Sequence, residues 1–158
     1  MDVCEHILVV CEATPEGDEA LITAASLARR CGSRLTLLAV AETDPPAARH
    51  CCGGGSGAWD RLECDDARSR VERGALMVTG GPEPDLAVVE GRPGVAPAII
   101  AEERGCDLIV VPAASPRRLA RLTRRDWAAK LRRRASVPVL QTPPGARRRR
   151  AGAAATSA

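Results

Sequence analysis

Short, unbroken apolar runs alternate along the chain with longer stretches in which apolar residues recur every three or four positions. His6-Ile7-Leu8-Val9-Val10-Cys11 is too short for a helix and too uniformly apolar for a half-exposed strand, so it predicts a buried parallel strand. Thr14-Pro15-Glu16 then supplies an N-cap hydroxyl, a proline at the first helical position and an acid in the first turn. Leu21, Ala24, Ala25, Ala28 and Cys31 follow at helical spacing, Arg29 and Arg30 suit the C-terminal dipole, and Gly32 ends the helix. A second strand is predicted over Arg34-Leu35-Thr36-Leu37-Leu38-Ala39-Val40.

Residues 43–57 hold two prolines and Gly53-Gly54-Gly55-Ser56-Gly57, a composition that predicts a flexible loop. From Ala58 to about Thr79, Trp59, Leu62, Ala67, Val71, Ala75 and Val78 recur three to five residues apart, predicting a second helix that Gly74 weakens. Asp85 to Glu90 reads as a third strand ended by Gly91-Arg92-Pro93. Val95 to Arg104 reads as a short helix with Pro97 in its first turn, closed by Gly105. Asp107 to Val111 is a fourth strand, and Pro112 to Arg125 an arginine-rich connection with room for a helical turn around Leu119 and Leu122. Asp126 caps a fourth helix through Ala135 with Trp127 and Leu131 inward. Val137 to Gln141 is the last strand, and Pro138, lacking a ladder donor, places it at an edge or interface. Thr142 to Ala158 is expected to be a disordered tail beyond a single domain of residues 1–141.

Strands alternating with helices demand parallel pairing and right-handed crossovers, hence an α/β doubly wound sheet of five strands. For the order 3-2-1-4-5 a ligand belongs past the C-terminal ends of the first and fourth strands, which singles out Glu12 to Thr14 and Pro112 to Pro116.

Composition sharpens this picture. The core must be packed from 14 Leu, 5 Ile, 13 Val and many alanines, because the only aromatics are Trp59 and Trp127. Two aromatics also exclude a stacking platform for single-stranded nucleic acid. The net charge of +3 conceals an asymmetry. Residues 1–111 carry 10 basic and 19 acidic side chains, or −9, whereas residues 112–150 carry 13 basic side chains and one acid, Asp126, or +12. No apolar run reaches the ~18 residues of a membrane-spanning helix, so no membrane insertion is expected. Met1-Asp2-Val3-Cys4-Glu5 lacks the features of a signal peptide, so the expected location is cytoplasmic. Seven cysteines without a repeated CxxC read as free thiols.

Ile7-Leu8-Val9-Val10 with Glu12-Ala13-Thr14, Leu35 to Val40, Val89-Glu90-Gly91-Arg92-Pro93, Asp107 to Val111 and Ala135-Ser136-Val137-Pro138-Val139-Leu140 together resemble the universal stress proteins, over about residues 5–141. The resemblance implies an adenine nucleotide alpha-hydrolase-like fold, a role in stress response and a homodimer formed through the last strand, Val137 to Gln141. Members that bind ATP carry G-x-x-G, nine residues, then G-[S/T]. The matching positions here are Pro112, Ser115, Arg125 and Asp126, and all four depart from that pattern. Pro112 has no N–H to offer a phosphate, and Asp126 already places a carboxylate at the helix N-terminus. Like charges ~4 Å apart repel by about 1 kcal/mol even in water. Across the cleft the family's Asp-Gly-Ser becomes Glu12-Ala13-Thr14, and Val40 falls on the base pocket.

The leading expectation is therefore a stress-type domain without ATP or another cofactor, acting by homodimerisation or on an unknown protein partner, and not an enzyme. A second reading makes it a nucleotide or anion binder in which Arg117, Arg118, Arg121 and Arg125 replace lost backbone donors while Glu12 and Val40 line the base pocket. The bland alternative for those arginines is a solvated face. A third reading is nonspecific nucleic-acid contact through the basic C-terminal third, including Arg132 to Arg134 and Arg147 to Arg150. His50-Cys51-Cys52 with Cys64, and Cys4 with His6, are the only metal-like groupings, and neither has zinc-site spacing. Cys51 and Cys52 are candidates for oxidation, while Cys11, Cys31 and Cys106 are expected to be small core residues.

Overall fold

The computed structural model of the chain describes residues 4–42, 56–114 and 127–143. Nine elements alternate along the described residues: β1 (His6–Val10), α1 (Pro15–Cys31), β2 (Arg34–Glu42), α2 (Ser56–Met77), β3 (Asp85–Gly91), α3 (Ala96–Arg104), β4 (Leu108–Val111), α4 (Trp127–Arg134) and β5 (Val139–Gln141). The strands form one parallel sheet in the order β3-β2-β1-β4-β5, as the alternating pattern predicts.

The unbroken apolar runs arise because the inner strands are buried on both faces. Ile7, Val9, Cys11, Leu35, Leu37, Ala39 and Val110 face α1 and α2, whereas Leu8, Val10, Leu38, Val40, Ile109 and Val111 face α3 and α4. Alanines at 20, 24, 25 and 28 of α1 bring that helix close to the sheet, and Ala96, Ala98 and Ala101 do the same for α3. Leu131 is fully buried and holds α4 against the second face, with Trp127 packed beside it.

Local chemistry terminates the helices where the residues call for it. Thr14 caps α1 in an extended conformation, its hydroxyl accepting the Gly17 N–H at 3.0 Å, and Pro15 follows at the first helical position. Gly32 and Gly105 end α1 and α3 with φ of 70° and 63°, a left-handed conformation that a side chain strains. On the β5 edge, Pro138 precedes the strand, and its carbonyl still accepts the Ile109 N–H at 3.0 Å. The strand is therefore shorter than the sequence pattern predicts, while β2 runs two residues past Val40.

Three expectations are corrected. Leu62, placed in the apolar repeat of the second helix, is 60% exposed, because the inward face of α2 is carried by Ala67, Val71 and Gly74. Gly74 is a packing feature as well as a propensity cost: a Cβ there would lie 3.3 Å from Leu37 Cδ1 and 3.4 Å from Leu21 Cδ2. Cys31 is exposed at the last position of α1, not a core residue, whereas Cys11 and Cys106 are buried as expected. Ser56 and Gly57 belong to α2, so the segment expected to be a loop gives two residues to the helix. The remainder of that segment, with Cys51 and Cys52, and the expected tail from residue 144 onward lie outside the described residues. Among the described residues no helix is long and apolar enough to cross a membrane.

Candidate functional site

The register of β1 against β4, with Val9 beside Val110, puts Glu12 to Thr14 and Pro112 at the C-terminal ends of two adjacent strands that leave the sheet in separate connections. This is the crevice a doubly wound sheet offers a ligand. Glu12 is half-buried, Ala13 exposed and Thr14 committed to capping α1. The turn between them is tight: a Cβ on Gly17 would sit 2.2 Å from the Glu12 carbonyl oxygen, so the first turn of α1 lies directly against the Glu12 backbone.

On the β4 side Pro112 is buried and offers no N–H. Its carbonyl accepts from the Gln141 side-chain amide at 3.4 Å, and Arg132 of α4 donates to Gln141 Oε1 at 2.6 Å. The exit of β4 is thereby tied to β5 and α4 by side chains. Ser115, Arg117, Arg118, Arg121, Arg125 and Asp126, the other positions implicated by the phosphate-loop comparison, lie outside the described residues.

Val40 is buried near the end of β2. Leu38 turns its carbonyl toward β1 and accepts the Cys11 N–H at 2.7 Å. Two residues on, strand periodicity turns the Val40 carbonyl to the same side, but β1 has by then left the sheet for the Thr14 cap. That carbonyl accepts instead from Arg70 of α2 at 3.1 Å. Arg70 is also held by Asp66, one helical turn earlier, at 3.0 Å, and its side chain is only 17% exposed.

Arg70, Gln141 and Gly17 carry the local geometry and were not singled out by sequence reasoning. A signal for Arg70 exists: it sits at helical spacing among Ala67, Val71 and Gly74, the inward positions of α2. Gly17 is a glycine in the first turn of a helix, where the propensity cost needs a steric reason.

The opposite end of the sheet holds the Cys4 and His6 pair. His6 is buried, with Nε2 2.8 Å from Thr36 Oγ1 and Nδ1 3.2 Å from the Arg104 carbonyl. The carbonyl requires Nδ1 to donate, so Nε2 accepts from the Thr36 hydroxyl. Burial, and then the Arg34 charge, hold its pKa below the ordinary value. Both ring nitrogens are thus engaged in the fold, and among the described residues no three His, Cys, Asp or Glu side chains group as metal ligands.

A family model, the universal stress protein family, matches residues 4–143. Among solved structures, universal stress protein UspA from Lactobacillus plantarum is 20% identical, with 90% of this chain and 100% of that one covered and a TM-score of 0.70. A universal stress protein in complex with cAMP is 18% identical over 91% and 100% of the two chains, with a TM-score of 0.59. The universal stress protein from Archaeoglobus fulgidus in complex with dAMP is 17% identical over 89% and 98%, with a TM-score of 0.60. No curated protein matches the chain. At these identities the structures speak for the fold alone, while the family model spans every described element, and the chain belongs to the universal stress protein family.

Proposed function

We propose that this universal stress domain does not hold ATP in the pose that a glycine phosphate loop serves, and that it acts as a homodimeric, partner-binding module in stress response rather than as an enzyme. The observation that carries this reading is Pro112. At the exit of β4, where ATP-binding members present a glycine N–H, the backbone has no donor, and its carbonyl is engaged by Gln141. Phosphate binding at such a loop depends on converging backbone N–H groups.

Support for self-association comes from β5. It is an edge strand of three residues, and Leu140 is 40% exposed although it lies in the sheet. Pairing of two β5 strands about a two-fold axis would cover that leucine and engage the outer backbone groups of both edges.

Two measurements test the two halves. Titration with magnesium and ATP, and with cAMP and dAMP because similar folds hold them, is expected to leave the melting temperature unchanged. A bound ligand at a hundredfold excess over its Kd would stabilise by about 2.7 kcal/mol, so a rise of several degrees overturns the first half. Such a rise, abolished by Arg125→Gly, would instead support the arginine-substituted anion site. Sedimentation is expected to show a dimer that Leu140→Glu converts to monomer; a monomeric wild type overturns the second half.

A further inference from the structure

We infer that Arg70 is a built-in occupant of the base edge of the cleft, a guanidinium standing where the amino group of an adenine-type base would donate to Val40. This rests on the reading above that the cleft is closed to ATP, and it names a residue of α2, outside the phosphate loop, that closes its other end.

The hydrogen-bonding pattern of the sheet defines the position. Leu38 spends its carbonyl on β1 through Cys11 N. Val40 presents the next carbonyl on that side, past the point where β1 ends, so it is the first acceptor of β2 that the ladder leaves open. A buried carbonyl requires a donor. In this chain the donor is Arg70 at 3.1 Å, anchored by Asp66 at 3.0 Å and carried on the inward face of α2 between Ala67 and Gly74. A charged donor fixed from within the molecule competes directly with a neutral amino group arriving from solution. A base approaching Val40 would have to displace a guanidinium that keeps its partner carboxylate.

Adenosine is the probe, because it carries the base and no phosphate and so reports on Val40 independently of Pro112. Isothermal titration of wild type, Arg70→Met and Arg70→Lys with adenosine and with guanosine makes the test. Methionine keeps an unbranched stem to fill the space and removes the donors, whereas lysine keeps a charged donor. Arg70→Met is expected to bind adenosine about ten- to a hundredfold more tightly than wild type, the range set by one charge-assisted hydrogen bond. Arg70→Lys is expected to stay near wild type. Guanosine, which presents a carbonyl where adenosine presents the amino group, is expected to gain nothing. If Arg70→Met fails to melt cooperatively, Asp66→Asn loosens the guanidinium without removing it and is expected to give a smaller gain of the same selectivity. An affinity ratio near one between folded Arg70→Met and wild type overturns the inference, as does an equal gain for guanosine. ATP binding by wild type overturns the proposed function instead, and the adenosine ratio still judges Arg70.

Discussion

Replacing Gly17 by alanine sets two effects of opposite sign against each other. Helix propensity alone favours alanine over glycine by about 1 kcal/mol. The β1–α1 turn opposes it: the new Cβ would sit 2.2 Å from the Glu12 oxygen and 2.9 Å from the Glu12 carbonyl carbon. Those are backbone atoms, so no rotamer change relieves the overlap, and the first turn of α1 must move by about 1 Å to restore van der Waals contact. That movement loses the hydrogen bond from Gly17 N to Thr14, 3.0 Å long, at a cost of about 1 kcal/mol for the cap. Overpacking adds about 1–3 kcal/mol. The balance is a loss of about 1–3 kcal/mol, or a melting temperature lower by about 2–12 °C for a domain of this size. Thermal and urea unfolding followed by circular dichroism would measure it, with Thr14→Ala as the control that loses the cap alone. The double variant should cost less than the sum of the singles, because displacing the turn already breaks the cap. A Gly17→Ala protein that melts at or above wild type would refute the steric account of this turn.

Other predictions follow from burial. Leu131 is the only fully buried residue of α4, so Leu131→Ala should cost about 2–5 kcal/mol and raise amide exchange across Trp127–Arg134 before the rest of the sheet, as hydrogen-exchange mass spectrometry would show. Iodoacetamide labelling read peptide by peptide should modify exposed Cys31 first among the cysteines of the described residues. Cys11 and Cys106, whose thiols burial pushes up to about 12 and about 11, should stay unlabelled until urea unfolds the chain; early labelling of Cys11 would contradict its packing. His6 has a depressed pKa in the fold, so as pH falls the unfolded chain takes up its proton first. Its contribution is complete above the ordinary imidazole value of about 6.5 and is lost as pH drops through the folded value. The melting-temperature advantage of wild type over His6→Gln should therefore narrow between about pH 7.5 and pH 5, and a constant or widening advantage would contradict it.

The elements were legible because their signals are local. The Thr14-Pro15-Glu16 start and Gly32 stop of α1, and the runs at residues 6–11, 34–40 and 107–111, depend on neighbours in sequence and on a burial pattern that repeats. Errors arose where the deciding partner is distant. Cys31 fits the helical repeat yet is the last residue of α1, where it is exposed. Leu62 fits the repeat of α2 but lies off the arc that Ala67, Val71 and Gly74 define. The candidate site divides in the same way. Pro112 and Glu12 were legible from strand ends and spacing, whereas Arg70 reads in sequence as an ordinary partner of Asp66.

The sequence by itself determined that strands and helices alternate, that the inner strands are sheathed on both faces, and that the residue leaving β4 has no N–H for a phosphate. Each of these follows from the chemistry of a side chain or from a period along the chain. Tertiary structure alone decided that Gly17 must be glycine, that His6 is satisfied by Thr36 and Arg104, and that the Val40 carbonyl is taken by a side chain thirty residues away. Those outcomes depend on which backbone groups remain open once the ladder ends, a quantity that exists only when strands from distant parts of the chain are side by side.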